Sequence, residues 1–171
     1  VICKDHELKE KLDLFNKTSY IIKNVPVDKD YNLLERLTFR NIVQSEFMDP
    51  WEDSIWKNYF EEVTIILICY EGNKKDIPNG YRTLKGVKKI TFTEKDIESF
   101  GKTYEKVRQA ILENNIELLP YPNSFPNQTL EIAPKGRKGA NAYATFFERD
   151  MTKTCLMMDK KFVKTKMNER N

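Results

Sequence analysis

Histidine is almost missing from this chain: His6 is the only one in 171 residues. It lies in a charged N-terminal segment without a Gly-x-Ser-x-Gly motif or a Cys/His pattern, so acyl-transfer machinery is not evident. Cys3, Cys69 and Cys155 lie far apart and form no Cys-x-x-Cys pair. That spacing supports neither a zinc site nor a disulfide framework, and it points to a reducing, cytoplasmic setting. Glycine is scarce, at six residues, and no Gly-x-x-x-x-Gly-Lys or Gly-x-Gly-x-x-Gly loop is present to cradle a nucleotide phosphate. No apolar run is long enough to cross a membrane, and no signal peptide is visible. The chain starts at Val1 without a methionine, which reads as a fragment or processed piece of something longer.

What remains is a soluble globular composition, 40% hydrophobic, 32% charged and 12% aromatic, long enough for one domain over 1–171 with a substantial core. The net charge of +3 is modest but unevenly placed. From Ala133 onward there are ten Lys or Arg against four Asp or Glu, which leaves nineteen against twenty-two for residues 1–132. A basic C-terminal third on a slightly acidic body is the footprint expected of a polyanion-binding face. Solubility alone would produce the same run.

Periodicity predicts a mixed arrangement. Leu8, Leu12 and Phe15 recur as on one face of a helix. Tyr20 to Pro26 reads as a strand, and Leu33 to Val43 as a second, with Leu37, Phe39 and Asn41 on one face. Trp51 to Phe60 reads as a short helix with Ile55, Trp56, Tyr59 and Phe60 inward. Val63 to Tyr70, β-branched and apolar, reads as the centre of a sheet covered on both sides. Leu84 to Thr93 reads as a strand carrying Val87, Ile90 and Phe92. Ile97, Phe100, Tyr104, Val107 and Ile111 then recur at three and four, with Thr93 or Glu94 starting the helix. Pro120, Pro122 and Pro126 make an extended connection. Leu130 to Ile132, Thr154 to Met158 and a basic helix from Lys160 to Glu169 complete the chain. The expected fold is one α/β domain with a mixed sheet and no inner linker.

The richest stretch for chemistry runs from Thr129 to Tyr143. A short strand leads into Pro134, and then Lys135, Arg137 and Lys138 are interleaved with Gly136 and Gly139. Glycines allow close backbone approach to a ligand, and cations offer charge-assisted bonds to phosphate or to guanine acceptors. Such a loop suits a groove of DNA; a solvated surface loop is the plain alternative. Metal-dependent nuclease chemistry would need an acid two residues before a lysine on a strand. Lys23 ends such a strand, but the position two before it is Ile21, and isoleucine cannot bind magnesium.

Five segments in order resemble the MutH-like endonucleases, which nick or cut GATC. Tyr20-Ile-Ile-Lys-Asn-Val-Pro-Val-Asp28 resembles the catalytic strand that ends in Glu-Leu-Lys. Leu34-Glu-Arg-Leu-Thr-Phe39 is similar to the Lys-Glu-Arg-Leu strand of the restriction enzymes. Trp56 to Tyr59 with Val63 to Tyr70 resembles the next helix and central strand. Leu130-Glu-Ile-Ala-Pro-Lys135 through Asn141-Ala142 resembles the Ile-Arg-Pro-Lys…Asn-Ala recognition loop, and Met157 to Phe162 the late strand and turn. The departures fall on the metal site. The family's metal-binding Glu falls on Ile21, its Asp near Asp13, a further active-site Lys at about Glu61, and its recognition Arg on Ala133. Lys23, Pro134 and Lys135 are retained.

The resemblance therefore implies a restriction-endonuclease-like domain that is not itself catalytic. It is most similar to the C-terminal effector half of the larger GATC restriction enzymes, which binds an extra recognition site and stimulates an N-terminal catalytic half. On that basis the chain needs no cofactor of its own, with Mg²⁺ belonging to the parent enzyme. Its partners would be double-stranded DNA, the N-terminal catalytic domain of the same chain and, on DNA, a possible second copy, with no membrane. Lys135 is expected to read guanine. Arg137, Lys138, Lys160, Lys161 and Lys164, with Lys23, are expected to neutralise phosphates, and Pro134, Asn141 and Tyr143 to shape or extend the contact. Two rivals stand beside this reading. One is an active nuclease whose metal site is rebuilt from Asp13 and Glu35. The other is a protein-interaction module whose basic face docks an acidic partner.

Overall fold

The computed structural model describes residues 19–72, 81–134, 143–147, 149–152 and 154–169, with the backbone alone at 143–147 and 149–152. The helix expected over 5–15 lies outside these residues. The described architecture is mixed α/β. β1 (Tyr20–Val27), β3 (Thr64–Glu71) and β4 (Thr83–Ile90) form one sheet, with β3 in the middle. β1 runs parallel to β3, from Tyr20 opposite Thr64 to Val27 opposite Glu71, and β4 runs antiparallel to it. β2 (Leu37–Asn41), β8 (Thr154–Met158) and β5 (Leu130–Pro134) form a second, antiparallel sheet with β8 in the middle. β6 (Tyr143–Phe147) and β7 (Arg149–Thr152) make a two-stranded ribbon.

The expected single mixed sheet is thus divided in two. The strand expected over 33–43 is only five residues long, because residues 33 and 34 pair back onto β1 before the chain turns away to β8. β3 is central as expected, but it is covered unequally: Ile65, Leu67 and Cys69 are buried, whereas Ile66 and Ile68 on the other face are half-buried.

Three helices close the core. α1 (Ile55–Glu62) is capped by Ser54, whose hydroxyl accepts from Lys57 N at 3.0 Å. A 3₁₀ turn over Trp51–Asp53 precedes it. This break puts Trp56 and Phe60 inward and leaves Ile55 53% exposed, against the expected inward position. α2 (Glu94–Leu112) begins with a capping box between Thr93 and Asp96, so two backbone donors of its first turn are satisfied. It buries Ile97, Phe100, Tyr104, Val107 and Ile111, as its spacing predicts. α3 (Lys160–Asn168) is capped by Asp159, which accepts from Lys161 N and Phe162 N at 2.9 and 3.0 Å.

Phe100 joins all three helices. Its ring lies 4.9 Å from Phe60 of α1 and 5.7 Å from Phe162 of α3, and Phe60 in turn meets Phe39 of β2 at 5.4 Å. These tilted and edge-on contacts add roughly 0.5–1.5 kcal/mol each beyond area burial. Gly101 beside it is required by a close approach, since a Cβ there would stand 2.7 Å from the Trp51 indole. Thr103 ties α2 to the second sheet by donating to Leu130 O at 2.6 Å. No helix among the described residues is long and apolar enough to cross a membrane.

Candidate nucleic-acid interface

β1 and the approach to β2 start as a hairpin. Val27 bridges Leu33, and Leu34 N donates to Pro26 O at 3.0 Å. Asp28 holds the turn: its carboxylate accepts from Asn32 Nδ2 at 2.7 Å, Asn32 N at 2.9 Å and Asp30 N at 2.8 Å. The Asn32 side-chain amide, aided by these backbone donors, keeps the Asp28 carboxyl below its ordinary range. Tyr31 takes φ 60° to complete the turn.

Away from the turn the two segments splay apart. Between them opens a cleft of about 580 Å³, lined by 23–26 on one wall and 34–38 on the other, with Met157 and Lys160 completing it. Lys23 spans the gap, donating from Nζ to Thr38 O at 2.5 Å while lying 5.1 Å from the Phe39 ring centroid. Lys160, the first residue of α3, donates to Leu34 O at 2.8 Å. Arg36 donates from Nε to Glu131 Oε2 at 2.8 Å. Three cations therefore line the cleft against one carboxylate, Glu35. A carbonyl partner fixes an ammonium group without cancelling its charge, so the positive potential at Lys160 is retained. One turn further along α3, Lys164 bonds to Asn32 Oδ1, and Lys161 is exposed.

Other expected site residues separate from this group. Ile21 pairs with Ile65 on β3 and is half-buried, packed against the core. Glu61 belongs to α1, 3.6 Å from Lys57. Ala133 is buried opposite Cys155 of β8. Pro134 is the exposed end of β5. Lys135, Arg137, Lys138, Asn141 and Asp13 lie outside the described residues, and Tyr143 opens β6, where the backbone alone is described. Among the described residues no group of three His, Cys, Asp or Glu is placed to hold a metal ion.

Leu130 lies opposite Met158, and Pro134 opposite Thr154. The chain therefore leaves β5 toward Lys135 at one end of the sheet, and enters α3 at the other. A five-residue strand spans about 13 Å. Lys160, Lys161 and Lys164 of α3 therefore lie at the end of the sheet away from Pro134.

Arg36 and Glu131 were missed as site residues. The available signal was an acid inside the apolar run Leu130-Glu-Ile-Ala133: Glu131 is only 2% exposed, and a buried carboxylate needs a cationic partner. Desolvation pushes its carboxyl above the ordinary range, with Asp159 adding to the rise and Arg36 opposing it.

No protein-family model matches this chain, and no curated protein matches it.

Proposed function

We propose that the chain binds duplex DNA and reads GATC, as the non-catalytic effector half of a MutH-like restriction endonuclease with a restriction-endonuclease-like fold. The observation that carries the DNA-binding part is the convergence of Lys23, Arg36 and Lys160 on one cleft, continued by Lys161 and Lys164 along α3. Cations on one groove neutralise backbone phosphates and release counterions, whatever the sequence. Sequence is read in this proposal by the stretch after Pro134, with Lys135 on guanine and Arg137, Lys138, Asn141 and Tyr143 beside it.

Magnesium belongs to the catalytic half in this reading. At position 21 an isoleucine packs where a metal needs a carboxylate, and the cleft lining offers Glu35 alone; hard divalent cations take several oxygen ligands.

The test is a titration of a GATC duplex and a scrambled one, in chelator and at two salt concentrations. Selective, salt-dependent binding without metal supports the proposal. Binding that ignores sequence removes the GATC assignment, and absence of binding removes the DNA reading. Lys135→Ala should cost roughly 1–3 kcal/mol on GATC and little on the scrambled duplex.

A further inference from the structure

Arg36 is anchored on one side only. Its Nε donates to Glu131 at 2.8 Å, while among the described residues no hydrogen bond engages its two terminal amino groups, and its side chain is 39% exposed at the wall of the cleft. Glu131 is 3% exposed at the side chain, and Arg36 is its hydrogen-bond partner among the described residues. A guanidinium has five donors in a fixed plane. Holding Nε on a buried carboxylate fixes that plane and leaves the Nη1/Nη2 edge to bind something else. Phosphate oxygens match that edge in pairs. Lys160 and Lys23, each tethered to a backbone carbonyl, stand on the same cleft.

We propose that the cleft between β1 and the approach to β2 is a metal-independent phosphate site, in which Arg36 is the binding fork and Glu131 is the positioning residue that aims it. The inference deepens the DNA reading, with the phosphate being one of the duplex backbone, but the site stands on its own chemistry. Inorganic phosphate is the simplest probe of it.

Two forces oppose one another at Glu131, and they separate the proposal from plain attraction. Removing a negative charge beside an anion should strengthen anion binding by Coulomb's law alone. Removing the anchor of the fork should weaken it. Glu131→Gln keeps an acceptor for Nε, whereas Glu131→Leu removes charge and acceptor together.

The experiment follows the arginine Nε–H resonances of the whole chain in chelator. Inorganic phosphate is added first, then a mixed-sequence duplex. A saturable shift of the Arg36 Nε–H is expected with both. Arg36→Lys, which keeps the charge and loses the fork, should weaken phosphate binding roughly tenfold, the size of one charge-assisted bond. Glu131→Gln should stay within about twofold of the native chain, and Glu131→Leu should weaken binding by a factor similar to that of Arg36→Lys. Thermal melts establish that each variant is folded, and Arg36→Lys at its half-exposed position decides the matter if Glu131→Leu unfolds. Tighter binding by both Glu131 variants, or unchanged binding by Arg36→Lys, overturns the proposal. Duplex binding with Arg36 unmoved overturns it while leaving the DNA reading standing. A phosphate shift without duplex binding supports the site and removes the DNA reading instead.

Discussion

Glu131 and Lys166 are both charged side chains at 3% exposure, and each is held by opposite charge. Lys166 has two acids: Asp96 at 2.8 Å and Glu169 at 2.6 Å. Asp96 is itself tied into the start of α2, where Oδ2 also accepts from Thr93 N at 2.8 Å. That pair joins α3 to α2 and is closed on both sides. Among the described residues Glu131 has one cation, and that cation is a half-exposed arginine at the lip of a cleft. An enclosed pair holds elements together. A pair with one outward partner keeps donors available for a ligand, at the expense of leaving its acid less stabilised. The titration directions agree. Burial opposes the charge on Asp96, but the Lys166 ammonium and the Thr93 backbone outweigh it and leave its carboxyl below the usual range. At Glu131 desolvation wins and the carboxyl is raised.

The comparison breaks most visibly at Asp96. Asp96→Ala leaves Lys166 buried with a more exposed acid, Glu169, and removes half of the α2 capping box; removing one partner of a buried pair costs about 3–5 kcal/mol. Urea unfolding should show a loss of that order. Lys166→Met also removes one partner and leaves Asp96 without its ammonium, so the same measurement should again show a loss, smaller than that of Asp96→Ala because Asp96 keeps its bond from Thr93 N and lies nearer solvent than Lys166.

Acid titration sharpens the contrast through its sign. Asp96 has a lowered folded value, so its contribution is present above about pH 4 and is lost as pH falls through the folded value. Glu131 has a raised folded value, so its contribution is present below the unfolded value of about 4.5 and is lost as pH rises through the folded one. Asp96→Asn should flatten stability against pH on the acid side. Glu131→Gln should remove a decline that begins near pH 4.5. Slopes of the same sign in the two variants would erase the distinction drawn between the pairs. The smallest effect is expected at Lys161, exposed on α3 and outside both pairs. Lys161→Ala should leave stability unchanged and lower the salt slope of the proposed DNA binding by about one.

Local pattern carried much of the architecture. The Ile97 to Ile111 spacing located α2, Thr93 marked its start, and the β-branched run at Val63–Tyr70 located the middle strand of its sheet. Pairing across the chain was not legible. β2 finds its neighbour in β8, and Glu131 finds Arg36 95 positions away; no periodicity encodes such a choice. Ile55 was misplaced because Ser54 restarts the helix and changes its phase. Val87, named with Ile90 on the same strand, is 59% exposed, because three residues from Ile90 it lies on the opposite face, across from the half-buried Ile68. At the candidate site, Lys23 came from the family resemblance and Lys160 from a basic helix, and nothing in sequence joined them. The splayed hairpin does so.

The Lys23 rung has a further meaning. Two antiparallel segments that begin in register at Val27 and Leu33 would ordinarily zip along their backbones at about 4.8 Å. Here a lysine side chain, about 6 Å from Cα to Nζ when extended, reaches Thr38 O instead. Its length works as a gauge block between the two sheets. The width of the opening is thereby written in a count of methylenes, and a residue one or two carbons shorter at that position would redraw the entrance while leaving Arg36 and Lys160 in place.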